Sequence, residues 1–174
     1  NELTLLNVTN NSQLNYLNFG QNQLVTIDVT NNLLLEVLHG YYNNDLQTID
    51  VSNNDSLKVL LLHVCDLTSI DLSNNLLLTD VNLNGNQLTN LDLSNNSNLT
   101  ELVVSVNYNL TSLDLRNGNN SNMSINATAS ALTCINVDDT EWATENWTNE
   151  NGSVDTQVSF SEDCDLELIT SECN

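Results

Sequence analysis

Five segments of this chain are close copies of one another: LVTIDVTNN from Leu24, LQTIDVSNN from Leu46, LTSIDLSNN from Leu67, LTNLDLSNN from Leu88 and LTSLDLRNG from Leu110. Their leading leucines are 22, 21, 21 and 22 residues apart. A period in that range does not belong to a globule closed around one core. It belongs to a solenoid, in which each coil buries its apolar side only by stacking on the next.

Each period has two halves. The first reads LxxLxLxxNxL, as in Leu78, Val81, Leu83, Asn86 and Leu88. The same frame fits Leu14, Leu17, Phe19, Asn22 and Leu24, and again Leu99, Leu102, Val104, Asn107 and Leu110. Leu57, Leu60, Leu62, Cys65 and Leu67 fit with cysteine in the asparagine slot. Leu35, Leu38, Gly40, Asn43 and Leu46 fit with one extra residue, and a degraded copy runs through Ile125, Ala127, Ser130 and Leu132. The alternating LxL residues point to one side of a strand and supply the core. The frame asparagine follows, where the chain turns inward. Its amide both donates and accepts, so it can pair backbone groups that a buried turn leaves open. Stacked coils turn Asn22, Asn43, Asn86 and Asn107 into a ladder, with Cys65 as a small buried substitute that still donates weakly. A reactive thiol is the other reading of Cys65. The second half supplies the opposite wall, as with Leu67, Ile70 and Leu72, while Ser73, Asn74 and Asn75 turn the chain.

This frame resembles the leucine-rich repeat family over roughly residues 3 to 137. The resemblance implies a solenoid of parallel strands, one per coil at LxL, lining a concave face, with little or no α-helix. Residues 1–137 are therefore assigned to the solenoid and 138–174 to a C-terminal cap and acidic tail. The ending LTCINVDD, a tryptophan segment with Trp142 and Trp147, and FSEDC is similar to the cap of secreted surface leucine-rich repeat proteins of flavobacterial type. That similarity implies a Cys134–Cys164 disulfide and export from the cell, and leaves Cys173 free or bonded between chains. Two tryptophans five residues apart can cover the open end of a leucine core. The other end begins directly in a second half-coil, with Leu3, Leu6 and Val8 in core positions. A bare solenoid end exposes strand edge and apolar residues, so this end calls for a longer chain or for another surface covering it.

Asp28, Asp50, Asp71, Asp92 and Asp114 share one slot and stack at strand spacing, about 5 Å. Like charges so close repel. Three devices relieve this: Ser, Thr and backbone donors beside each carboxylate, calcium along the row, or raised carboxyl pKa values.

The balance of 23 acidic against two basic residues, net −21, opposes binding to nucleic acid and to anionic membranes. No segment is long and apolar enough for membrane insertion. No GxSxG, HExxH, P-loop or dinucleotide fingerprint is present, and the expectation is a chain without catalysis. N-x-S/T triplets, Asn54 among them, arise repeatedly from the asparagine and hydroxyl rows; Asp55-Ser56-Leu57 resembles a bacterial O-glycosylation triplet. The row Thr68, Thr89, Thr111 and Thr133 is regular enough to raise ice binding, but Val25 and Gln47 interrupt it.

Outward strand positions carry the functional signal. They read Tyr16, Asn18, Gly20, Gln21; then Val37, His39, Tyr41, Tyr42; then Val59, Leu61, His63, Val64; then Asp80, Asn82, Asn84, Gly85; then Glu101, Val103, Ser105, Val106. Aromatic and aliphatic residues where a solvated sheet is normally polar mark a contact surface; packing between neighbouring coils is the competing explanation. The candidate ligand-binding residues are Tyr16, Val37, His39, Tyr41, Tyr42, Val59, Leu61 and His63, with a protein or glycan as partner. His39 and His63 together also raise metal binding. The alternative is a structural subunit that forms homo-oligomers or a filament end to end through the N-terminal coil.

Overall fold

The computed structural model describes residues 1–165; Cys173 lies outside the described residues. The first halves of the coils form strands β1 (Tyr16–Asn18), β2 (Val37–His39), β3 (Val59–Leu61), β4 (Asp80–Asn82), β6 (Glu101–Val103) and β8 (Ser124–Asn126). They make one parallel six-stranded sheet in the order β1-β2-β3-β4-β6-β8. The second halves give β5 (Asn90–Asp92), β7 (Ser112–Asp114) and β9 (Cys134–Asn136), which form a second parallel sheet with β10 (Ser159–Ser161). The only α-helix among the described residues is α1 (Thr140–Asn146). This is the leucine-rich repeat architecture that the sequence predicts.

Register is strict. Leu17, Leu38, Leu60, Val81, Leu102 and Ile125 lie side by side across the six-stranded sheet and are all buried. The second sheet and its flanking loops close the core with Leu67, Leu88, Leu91, Leu93, Leu113 and Leu115. Gly40 takes a leucine slot because its neighbour in the stack is Phe19. A Cβ on Gly40 would lie 2.3 Å from the Phe19 ring and 2.8 Å from Leu62.

The asparagine ladder is present, and its hydrogen bonds explain where it stops. Asn86 donates through Nδ2 to the Leu62 and Leu83 carbonyls at 2.9 Å each and accepts the Leu67 N–H at 3.0 Å. Asn43 and Asn107 repeat the pattern with the N–H groups of Leu24 and Leu88. Each ladder oxygen thus serves an amide of the preceding coil. The coils with an extra residue, Asn43 to Leu46 and Asn107 to Leu110, change this. There the leucine N–H turns back on its own coil, Leu46 to the Asn43 carbonyl at 3.0 Å and Leu110 to the Asn107 carbonyl at 2.9 Å. The next ladder residue then has no amide to serve. Those next residues are Cys65 and Ser130, the two that are not asparagine. Each donates to one carbonyl, Cys65 to Gly40 and Ser130 to Ala127.

The sequence reading treats the second asparagine of each Asn-Asn pair as an ordinary turn residue, and this is corrected. Asn32, Asn54, Asn75 and Asn96 are fully buried and form a second ladder. Each donates to two carbonyls of the coil before it; Asn75, for example, reaches Val51 and Asn54 at 3.0 Å. Asn54 is therefore inaccessible to glycan attachment in this fold.

At the last described coils, Asp139 caps α1 by accepting the Trp142 N–H at 2.9 Å. Trp147 is buried against Trp142, edge to face at 5.4 Å, and donates through Nε1 to the Met123 carbonyl. The two tryptophans cover the core end as expected. Strand β10 extends the second sheet beside β9, and Cys134 and Cys164 are disulfide-bonded with Cα atoms 5.9 Å apart.

The aspartate row is stabilised by local donors. Asp28, Asp50, Asp71, Asp92 and Asp114 each accept the backbone N–H two residues on, at 2.9–3.0 Å. Hydrogen bonds from Thr30, Ser52 and Ser73 hold the Asp28, Asp50 and Asp71 carboxyls below the usual range. Of the three devices, local donors act on these carboxyls: hydrogen bonds to the ionised form lower the pKa of Asp28, Asp50 and Asp71 instead of raising it.

Candidate binding surface on the six-stranded sheet

The residues singled out in sequence meet on the outward face of β1, β2 and β3 and the loops after them. Register places Tyr16, Val37 and Val59 in one row and Asn18, His39 and Leu61 in the next. Their rings interlock. Tyr16 meets His39 edge to face at 5.4 Å, with its hydroxyl 3.4 Å from Nδ1. Tyr41 stacks on His63 with centroids 4.9 Å apart and planes within 6°. Tyr42 stands edge-on to both, at 6.0 Å from Tyr41 and 5.5 Å from His63.

Backbone geometry holds this cluster. The residue before each ladder position is left-handed: Gln21, Tyr42, Val64, Gly85, Val106 and Ala129 have φ from 54° to 67°. The turn from sheet to core demands it, and only Gly85 meets the demand without cost. Tyr42 occupies this slot, which turns its ring toward its neighbours. Gly20 leaves room for Tyr41, since a Cβ there would lie 2.8 Å from the Tyr41 ring. Gly20 and His63 come from the coils on either side of Tyr41, and both lie against its ring.

Burial lowers the pKa of His39 and of His63, and His39 lowers that of His63 further. Both imidazoles are therefore neutral at pH 7, and the cluster is an uncharged aromatic surface. Among the described residues, no three His, Cys, Asp or Glu side chains come together as a metal site. The Tyr41 ring lies beside both histidines.

The structure joins Val59 and Leu61 of the candidate set to residues of the next two coils. Val59, Leu61, Val81 and Val103 line a shallow pocket of about 290 Å³ with Asp80, Asn82 and Glu101 on its wall. Asp80 and Glu101 are direct cross-strand neighbours. A second apolar feature lies on the turns away from this sheet. Leu33, Leu34, Leu76 and Leu77 are exposed, and Leu33, Leu76 and Leu77 flank a groove of about 640 Å³ containing Asp55. Sequence reading missed it because NNLLL looks like core; only the third leucine, Leu35 or Leu78, is buried.

Comparison with solved structures supports the fold. The chain is similar to the functional domain of InlJ from Listeria monocytogenes, described as including a cysteine ladder, at 24% identity and a TM-score of 0.57. That match covers 91% of this chain and 36% of the other. It is also similar to a leucine-rich repeat protein of Leptospira interrogans, at 21% identity and a TM-score of 0.65, over 74% of this chain and 34% of the other. The chain thus spans about a third of the length of both. No protein-family model and no curated protein matches the sequence.

Proposed function

We propose that this protein is a non-catalytic, extracellular binding or adhesion module that takes a protein or glycan on the concave face of its solenoid. The observation that carries this reading is the ring cluster of Tyr16, His39, Tyr41, Tyr42 and His63 beside Val37, Val59 and Leu61. The fold asks only that alternate strand residues be apolar toward the core, and the outward positions of β8, Ser124 and Asn126, are filled by polar side chains. A rigid, uncharged, partly desolvated aromatic surface gains free energy on contact while losing little side-chain entropy. Export is supported by the Cys134–Cys164 disulfide, a bond that persists in oxidising surroundings. The tryptophan helix, and the bond that ties β9 to the segment after β10, support kinship with the flavobacterial-type secreted proteins.

The test is to probe a glycan array and a displayed library of random twelve-residue peptides with the wild type and with a Tyr16→Ser/Tyr41→Ser/Tyr42→Ser variant. Signals lost in the variant support the reading. Signals that persist place the binding surface elsewhere, and no signal from either set withdraws the proposal.

A second reading, a subunit of a homo-oligomer or filament, is favoured by the exposed leucines Leu33, Leu34, Leu76 and Leu77. Light scattering across a concentration series decides it: growth in mass supports assembly, and a constant monomer mass removes it.

A further inference from the structure

The outward face divides into two chemically distinct halves. Toward β1 it carries the neutral rings. Toward β6 it carries aliphatic residues bordered by two carboxylates. Val59, Leu61 and Val103 are half-buried and line the 290 Å³ pocket, whose floor is the buried Val81. Asp80 and Glu101 stand in register on adjacent strands at its edge. Asp80 accepts one hydrogen bond, from the Thr79 hydroxyl, which leaves most of its acceptor capacity open.

Like charges directly opposite one another across parallel strands disfavour the fold slightly, and among the described residues no basic side chain offsets this pair. The sequence has only two basic side chains, and both are engaged elsewhere. Lys58 Nζ pairs with Glu36 at 2.9 Å, and Arg116 makes a two-pronged contact with Asp114 and donates to the Glu162 carbonyl. Both histidines lie at the other half of the face. Both carboxylates are therefore open to a cation carried by a partner.

The apolar lining narrows the partner further. Sugar recognition draws on several polar side chains and an open aromatic face. This pocket has no aromatic side chain for a sugar ring to stack on, and its apolar lining is aliphatic. An aliphatic side chain fits the pocket, and a cation fits its rim.

We infer that the partner presents a polypeptide segment in which a lysine or arginine neighbours an aliphatic residue, the base meeting Asp80 and Glu101 and the aliphatic side chain entering the pocket of Val59, Leu61 and Val103. This rests on the concave-face reading above and specifies it. The net charge of −21 draws such a segment in from a distance and makes its arrival salt-dependent.

The test uses the displayed twelve-residue library, selected in parallel on the wild type, on Asp80→Asn/Glu101→Gln and on Tyr41→Ser/His63→Ser. Circular dichroism first establishes that each variant keeps the wild-type spectrum and unfolding midpoint. The expected result is enrichment of basic residues beside Leu, Ile or Val on the wild type, with a representative peptide bound about tenfold or more weakly by the carboxylate variant. Enrichment of uncharged or acidic sequences, or equal binding by the carboxylate variant, overturns the inference. If binding is then still lost in the Tyr41/His63 variant, the concave-face reading stands without it. Enrichment that survives both variants removes both. Absence of enrichment together with glycan-array signals assigns the face to sugar and overturns the inference.

Discussion

The hydrogen bonds of the asparagine ladder predict that the same residue exchange has unequal consequences in neighbouring coils. Asn86→Cys leaves a thiol able to replace one of the two Nδ2 donations, as Cys65 does at its own site. With the thiol on the Leu62 carbonyl, the Leu83 carbonyl keeps its bond from Asn107 Nδ2 at 3.0 Å, and the Leu67 N–H, now bonded at 3.0 Å, is left buried and unpaired. Such an orphaned group costs about 1–3 kcal/mol, and the variant is expected to lose about that much. Cys65→Asn is not the reverse. The amide that its oxygen would serve is Leu46, already bonded to the Asn43 carbonyl at 3.0 Å. The new donor gains a hydrogen bond while the new acceptor is buried unpaired, and the two offset to within about 1 kcal/mol. Urea unfolding followed by circular dichroism measures both. A Cys65→Asn variant more stable than wild type by about 2 kcal/mol, or an Asn86→Cys variant of wild-type stability, refutes the idea that the inserted residue of the preceding coil decides the ladder's chemistry.

Gly40→Ala should cost about 1–3 kcal/mol through its clash with Phe19, and Phe19→Leu should recover a large part of that loss in the double variant; additive losses would show that the two residues do not share the space. Stability should fall as pH drops below about 6.5, because His39 and His63 have lowered pKa values when folded and the unfolded chain takes up protons first. Their contribution is whole above 6.5 and lost as pH falls toward the folded pKa values. His39→Gln/His63→Gln should flatten the profile between pH 7 and 5, and an unchanged slope would contradict the assignment. Replacing Cys134 and Cys164 by serine removes a link across 30 residues and should lower stability by about 3–4 kcal/mol, read as a shift in the thermal midpoint of the tryptophan signal.

The fold was legible because its period repeats: six copies of LxxLxLxxN fix the strands, their register and the residues that face out. The first asparagine ladder follows from the frame, since a buried turn needs a side chain that both donates and accepts. The second ladder was not legible, because Asn31-Asn32 and Asn74-Asn75 look like turn sequences, and only stacking shows one amide of each pair buried. Cys65 was legible as a buried residue but not as a consequence of the extra residue at Asn43 to Leu46, which required knowing where the Leu46 N–H goes. On the outward face of the six-stranded sheet, alternation identified Tyr16, His39, Leu61 and His63. The union of Asp80, Glu101 and Val103 with Val59 and Leu61 into one pocket depends on neighbouring coils and does not appear within any single one. The leucines at 33, 34, 76 and 77 were hidden by their own composition, since an apolar triplet reads as core until the turn shows that two of its three members point to solvent.

The proposed function places this protein's partner on the ring cluster of the six-stranded sheet. Isothermal titration of the tightest-binding ligand from the array or library, into wild type and into Tyr41→Ser/His63→Ser, decides this. The variant, with an unchanged fold, is expected to bind about tenfold or more weakly, as loss of a central aromatic contact requires. An unchanged Kd would contradict it and assign the rings to packing between coils.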